Sequence, residues 1–129
     1  MERKFIIAGI VFLFTGIILG AFGAHSLKTL FPHDPEKIVS FDTGVKYQIY
    51  GAFSFLFLGL FAEKLKFSLN SVFYLLILGH LFFSCSIYFL TLQTILNVKL
   101  SFLGPITPIG GLLMVAGWIV LLIKFIKAK

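Results

Sequence analysis

Four long apolar runs alternate with short polar connections along the chain. The runs cover about residues 5–24, 45–62, 69–92 and 106–126, and each has at most one charged side chain away from its ends. At about 1.5 Å per helical residue, each run is long enough to cross a bilayer core of roughly 30 Å. The pattern predicts an all-α integral membrane protein, a single domain in which four transmembrane helices form a bundle.

The connection between the first two runs has a helix of its own in this prediction. The segment Asp34-Pro35-Glu36 is typical of a helix start, with a capping aspartate, a proline at the first helical position and an acidic first turn. Ile38 and Phe41 then fall on one side of the helix. We expect a short interfacial amphipathic helix at about residues 35–44, with a bend into the membrane at Gly44.

Composition supports a lipid environment and argues against a soluble domain. The 129 residues are 59% hydrophobic and 12% charged, which is too apolar for a small chain with a large surface in water. A net charge of +6 is compatible with nucleic acid, but the basic residues lie at the ends of apolar runs and not in one patch. We therefore expect membrane lipids as partners and no nucleic acid.

The distribution of basic residues predicts the orientation. Four spans place both termini on one side of the membrane. That side has the larger basic set, seven residues against four: Arg3, Lys4, Lys64, Lys66, Lys124, Lys127 and Lys129 against Lys28, Lys37, Lys46 and Lys99. Basic residues favour the cytoplasmic side, so both termini are expected in the cytoplasm.

Polar residues inside the apolar runs are concentrated in the non-cytoplasmic half. His80 lies near the middle of the third run, and Ser84, Tyr88 and Thr91 follow it at helical spacing. Intramembrane polar residues are costly and therefore mark candidate sites. The sequence predicts a polar-walled cavity or a hydrogen-bonded seam in this half. The candidate ligand-binding residues are His25, Gln48, Tyr50, His80, Ser84, Tyr88 and Thr107.

A purely structural role is the alternative explanation for the same residues. Serine, threonine and histidine in membrane helices often form interhelical hydrogen bonds, each worth about 0.6–2 kcal/mol. His80 is expected to be such a residue and not a proton carrier, because no acidic or basic side chain lies at its depth.

Small residues predict close helix packing. Gly16, Gly20 and Ala24 recur every four residues at the end of the first run, and Gly110 and Gly111 begin the fourth. A stripe of small residues lets two helix backbones approach each other.

Metal and catalytic sites are not expected. The candidate metal ligands of the first connection are His25, His33, Asp34, Glu36 and Asp42, and their spacing fits no familiar ligand pattern. The chain has no serine elbow, HExxH motif or phosphate loop, and its lone Cys85 lies in an apolar run. We expect no cofactor, no metal and no enzymatic activity.

Three segments together resemble one known family. They are LGAFGAHSLK at 19–28, TGVKYQIY at 43–50 and LGPITPIGGLLMVAGW at 103–118. The resemblance is to the small four-span proteins known as domain of unknown function 423, which are related to transmembrane protein 256. It implies a bacterial inner-membrane location and assigns no reaction or ligand. The family usually has a histidine directly after Tyr-Gln-x-Tyr, where this chain has Gly51.

The sequence is compatible with two functions. The first is binding of a lipid, another amphiphile or a membrane partner in the non-cytoplasmic half, in support of envelope integrity. The alternative is a small transporter or channel subunit in which His80 lines a polar path. The protein partner would be a second copy of the chain or another membrane protein.

Overall fold

The computed structural model describes residues 2–129, and its regular structure is helical throughout. Helix α1 is Arg3–Leu30 and helix α2 is Pro35–Phe61. The third spanning segment consists of α3 (Asn70–His80), a π-helical turn (Leu81–Cys85) and α4 (Ser86–Leu92), and helix α5 is Ile106–Lys127. Single 3₁₀ turns at Ala62–Lys64 and Ser101–Leu103 lie in the connections. Four helical segments are long and apolar enough to cross a membrane, which confirms the predicted four-span, all-α architecture.

Helix α1 extends beyond the predicted end of the first run. It continues past residue 24 to Leu30, where the Phe31 N–H donates to the Leu27 carbonyl at 2.8 Å. Leu27 and Phe31 are both buried in a cluster with Phe41 of α2. The last turn is therefore held by packing, and His25 lies on a helix and not in a connection.

The segment at residues 35–44 differs from the prediction, because it is the first part of α2 and not a separate interfacial helix. The helix does begin at Pro35 and then runs unbroken to Phe61. Gly44 produces no break. Its missing side chain admits the Tyr88 ring, since a Cβ at position 44 would lie 2.8 Å from Tyr88 Cε1. Asp34 also differs: its side chain makes no capping hydrogen bond and pairs instead with Lys37 at 3.6 Å.

All four spans share an apolar core. Its buried members are Phe5 and Phe12 of α1, Ala52, Phe55 and Leu58 of α2, Leu69, Val72 and Leu76 on the third segment, and Leu121 of α5. Phe12 meets Phe55 edge-on with ring centroids 5.4 Å apart. Since these residues belong to the half of the bundle near the chain termini, that half is filled with hydrocarbon and aromatic side chains.

Both termini and the connection at residues 62–69 lie at the same end of the bundle. The Glu2 N–H donates to the Gly59 carbonyl at 3.1 Å, and Lys66 Nζ donates to the Lys129 carbonyl at 3.4 Å. This end carries Arg3, Lys4, Lys64, Lys66, Lys124, Lys127 and Lys129, and we call it the cationic end. The opposite part of the bundle is called the far half.

Glycines set the approach of α1 to α2, with a seven-residue rhythm. Gly9, Gly16 and Gly23 are buried, and Cβ atoms there would lie 2.6–2.9 Å from side chains of α2. Gly20 is less tight, at 3.3 Å from Val45. Ala24 is exposed, contrary to the predicted packing role, because the seven-residue rhythm turns Gly23 and not Ala24 toward α2.

The closest backbone contact joins α5 to the third segment. A Cβ on Gly110 would lie 2.4 Å from the Phe83 nitrogen and 2.7 Å from the Gly79 carbonyl oxygen. Gly111 has no comparable contact, since its nearest neighbour would be Phe83 Cδ2 at an ordinary 3.8 Å. Gly110 therefore packs α5 directly on the π-helical turn, whereas a side chain at position 111 would make only an ordinary van der Waals contact.

Candidate functional site

Gln48 is the centre of a hydrogen-bonded network in the interior. It is buried on α2, and its Nε2 donates to the Phe12 carbonyl at 3.0 Å and to Thr15 Oγ1 at 2.7 Å. Tyr88 donates its hydroxyl proton to Gln48 Oε1 at 2.6 Å. The amide is thus satisfied on both sides, and the network ties α1, α2 and α4 together.

Two serines tie the third segment to its other neighbours. Ser84 donates to the Gly44 carbonyl of α2 at 2.8 Å, and Ser86 lies 2.6 Å from Thr107 Oγ1 of α5. The sequence interpretation omitted Ser86. Residues two apart on a helix point in nearly opposite directions, so Ser86 could have been assigned to α5 once Ser84 was assigned to α2.

A groove of about 660 Å³ lies between α2 and α5, with the third segment as its floor. Its polar groups come from α2 and α3, and its apolar wall comes mainly from α5. The lining residues are Tyr47, Tyr50, Ser54, His80, Phe83, Pro108, Gly111, Leu112, Met114, Val115 and Trp118. The groove begins near the start of α5 and reaches the middle of the spans, so it belongs to the far half.

His80 is the most constrained polar residue of the groove. It is 4% exposed, and its buried Nδ1 makes no hydrogen bond of normal geometry within residues 2–129, although the backbone of Tyr47 on α2 lies within interaction distance of the imidazole. Phe12 and Phe55 stand edge-on to the imidazole, with centroid distances of 6.2 and 6.0 Å. A buried histidine nitrogen therefore lies between apolar neighbours and the groove.

Gly51 makes the space that the His80 ring occupies. A Cβ at position 51 would lie 2.9 Å from Cε1, Nδ1 and Nε2 of the ring. Most real Cβ atoms stay well beyond that distance, so even a methyl group would push the imidazole away. The position of His80 thus depends on the absence of a side chain on α2.

The π-helical turn at Leu81–Cys85 begins directly after His80. Such turns are rare and often occur at functional sites, because the wider turn changes the direction of the side chains around it. The run Leu-Phe-Phe-Ser-Cys fits an ordinary α-helix equally well, and sequence pattern alone therefore does not reveal the turn.

The structure divides the predicted site residues into separate groups. Tyr50 and His80 line the groove together. Gln48, Ser84 and Tyr88 have protein partners in the interior, as described above. The predicted residues therefore do not form one site.

Thr107 and His25 lie elsewhere. Thr107 bonds Ser86 and lines a different surface groove beside Asp34 and Lys37. His25 is on the exposed face of α1 and does not line the groove of His80. His25 therefore does not join the other candidate ligand-binding residues, because α1 continues as a helix through this residue and turns it outward.

The apolar wall on α5 is not among the features predicted from the sequence. Leu112, Val115 and Trp118 follow one face of that helix at intervals of three residues. Such a stripe looks the same in sequence whether it contacts lipid, a helix or a ligand. Within residues 2–129, no group of three or more His, Cys, Asp or Glu side chains is placed to hold a metal ion.

Comparison with known proteins shows which family the chain resembles. Residues 19–111 match the family described as "Protein of unknown function (DUF423)". The chain is 37% identical over 126 residues to a UPF0382 membrane protein of Staphylococcus haemolyticus, with 97% of each chain covered. It is 33% identical over 127 residues to the UPF0382 membrane protein YwdK of Bacillus subtilis, covering 97% of this chain and 98% of the relative. No solved structure matches the chain.

Proposed function

The chain belongs to the DUF423 family of small bacterial membrane proteins, and we propose that it is a binding protein whose groove between α2 and α5 takes a lipid or other amphiphile. The observation that carries this proposal is the buried Nδ1 of His80. It makes no hydrogen bond of normal geometry within the described residues, and His80 is one of the side chains that line a groove that is otherwise mainly apolar.

The proposal accounts for the free-energy cost of burying the Nδ1 nitrogen of His80. A buried nitrogen without a hydrogen bond costs about 1–3 kcal/mol, and that cost is recovered when a ligand supplies the bond. An imidazole nitrogen can accept or donate according to its tautomer, so a hydroxyl or carboxyl group satisfies it. The ligand is therefore an amphiphile with such a group at the level of His80 and an apolar tail along α5.

The shape and lining of the groove support the same ligand class. Its volume of about 660 Å³ falls in the usual range for ligand sites, about 300–1,000 Å³. Tyr47 and Tyr50 are 40% and 58% exposed and line the same groove. Two phenol groups therefore stand at the rim, where a polar head group could reach them.

The orientation of the groove suggests where the ligand comes from. The positive-inside rule favours the cationic end in the cytoplasm, so the far half would face the non-cytoplasmic leaflet of a bacterial inner membrane. Capture of an amphiphile from that leaflet is the route by which the protein would support envelope integrity.

Transport through the bundle has less support. The space between His80 and the cationic end is filled by side chains. Phe5, Phe55 and Leu76 are fully buried there, between the spans. A polar path would need these side chains to separate. Within residues 2–129 the buried polar side chains, Gln48, His80, Ser84, Ser86 and Thr91, lie at the level of His80 or in the far half. We therefore prefer binding to transport.

Native mass spectrometry of protein purified from bacterial membranes tests the proposal. We expect a copurified amphiphile on the wild type and its loss from Leu112→Trp, because Leu112 is 70% exposed and an indole there would fill the groove without entering the core. His80→Leu should also lose it, since the polar nitrogen is gone.

Two control variants change exposed residues outside the groove. Leu122→Trp places the same indole on a lipid-facing part of α5, and His25→Ala removes an exposed histidine from α1. Both should keep the amphiphile. Equal lipid content in Leu112→Trp and Leu122→Trp would refute binding in this groove.

A further inference from the structure

A second groove lies at the cationic end, between the last turns of α5 and the connection that precedes α3. Its volume is about 560 Å³. Its lining combines the lysines Lys66, Lys124, Lys127 and Lys129 with the apolar side chains of Phe67, Val120 and Ile123. This groove is separate from the groove of His80 and shares no lining residue with it.

The four lysines gather positive charge that no Asp or Glu side chain offsets by an ion pair within residues 2–129. Lys66 Nζ instead donates to the Lys129 carbonyl at 3.4 Å, and Lys124 Nζ stands 5.9 Å from the centre of the Phe67 ring. Because like charges repel, an anion bound among these lysines would stabilise their positions in the groove.

The acidic side chains of this end do not offset the charge. Only Glu2 and Glu63 belong to it, against the seven lysine and arginine residues of the cationic end. The excess is therefore positive, and the groove lies among these basic residues beside apolar side chains.

The apolar wall identifies the kind of anion. Val120 and Ile123 lie one to two turns nearer the membrane centre than Lys127 on α5, and Phe67 packs edge-on against Phe125 at 5.1 Å. Cationic side chains above an apolar surface match a phosphodiester above acyl chains. A soluble phosphate would use the lysines and leave the wall without a function. Basic pockets between spanning helices are known sites for anionic lipid head groups.

We propose that this groove binds an anionic phospholipid, with its phosphate among Lys66, Lys124 and Lys127 and an acyl chain along Val120 and Ile123. The site is independent of the amphiphile groove of the far half. Loss of binding at one groove would leave binding at the other unchanged.

The test titrates delipidated full-length protein in detergent with phosphatidylglycerol or phosphatidylcholine and counts bound lipid by native mass spectrometry. The wild type should prefer phosphatidylglycerol. The double variant Lys124→Gln/Lys127→Gln should bind it more weakly by about fivefold for each lysine removed, roughly 25-fold in total. Lys124→Arg/Lys127→Arg keeps both charges and should keep most of the affinity.

A matched control removes the same charge from the opposite end of the bundle. Lys28→Gln/Lys99→Gln should bind phosphatidylglycerol like the wild type, and circular dichroism should show equal helix content in every variant. An equal loss in both double variants would overturn the site, because it would show attraction to net charge alone. Equal binding of the two lipids by the wild type would also overturn it.

Competition separates a lipid from a soluble anion. Millimolar glycerol 3-phosphate should leave bound phosphatidylglycerol in place, since it lacks the acyl chains that contact the apolar wall. Full displacement would overturn the lipid assignment and identify a site for soluble phosphate esters.

Discussion

The imidazole of His80 fills the space that a side chain at Gly51 would need. Three of its ring atoms lie 2.9 Å from the position that a Cβ on residue 51 would take. The histidine is held in the interior, 4% exposed, by a gap that only glycine leaves on α2. The proposed amphiphile site depends on this pair, because the gap fixes the ring at the wall of the groove.

Gly51→Ala should displace the imidazole and weaken amphiphile binding. Overpacking of a well-packed interior typically costs about 1–3 kcal/mol, so the melting temperature in detergent should also fall. Native mass spectrometry measures the bound amphiphile.

Ser54→Ala is the control for this substitution. Ser54 lines the same groove, but its hydroxyl already donates to the Tyr50 carbonyl on its own helix at 2.8 Å. Ser54→Ala should therefore keep both stability and ligand. Unchanged ligand content in Gly51→Ala would show that the position of the imidazole is irrelevant to binding.

Gln48→Leu should destabilise the bundle while the groove keeps its ligand. The substitution leaves the Tyr88 hydroxyl buried without its acceptor, at a cost of about 1–3 kcal/mol. Thermal unfolding followed by circular dichroism measures the loss.

A double-mutant cycle with Tyr88→Phe checks that the loss comes from the hydrogen bond. The combined variant should lose less than the sum of the single variants, because each removes the same bond. Additive losses would mean that Gln48 and Tyr88 act independently. Loss of the amphiphile with retained stability would instead assign Gln48 to the ligand site.

Gly110→Ala should be among the most destabilising single-methyl changes in the chain. The added Cβ would meet the Phe83 nitrogen at 2.4 Å, and backbone atoms cannot move aside as a flexible side chain can. We expect a loss of about 3 kcal/mol or more.

Gly111→Ala is the adjacent control. Its Cβ would meet only Phe83 Cδ2, at 3.8 Å, so its melting temperature should stay near that of the wild type. Similar melting temperatures for the two alanine variants would contradict the direct seating of α5 on the π-helical turn.

The proposed orientation can be tested by cysteine labelling in a Cys85→Ser background. In intact bacterial cells, a membrane-impermeant maleimide should label Lys99→Cys and should leave Lys64→Cys unlabelled until the cells are opened. The physical reason is the preference of basic residues for the cytoplasmic side. Labelling in the reverse order would place the cationic end outside.

The sequence was sufficient for the four spans and insufficient for their contacts. Apolar length alone predicts each span, since a bilayer of fixed thickness demands about twenty apolar residues. Helix α1 ends later than the apolar run predicts because Leu27 and Phe31 pack against Phe41 in the tertiary structure, a contact that no local pattern indicates.

The predicted site residues fall into separate groups in the structure for a similar reason. The polar character of Gln48, Tyr88 and His80 is evident in the sequence, but whether each finds a protein partner depends on distances between helices. Gln48 and Tyr88 satisfy each other, whereas His80 Nδ1 makes no hydrogen bond of normal geometry within the described residues. The π-helical turn and the apolar wall of α5 have no sequence pattern that separates them from an ordinary lipid-facing helix.

The most direct test is a crystal structure of the wild type grown from a lipidic mesophase, read at the groove between α2 and α5. Amphiphile binding predicts continuous density along Leu112 and Val115 that ends in a polar atom within about 2.7–3.2 Å of His80 Nδ1. A groove closed by its own side chains, with His80 Nδ1 bonded to a protein group, would contradict the account.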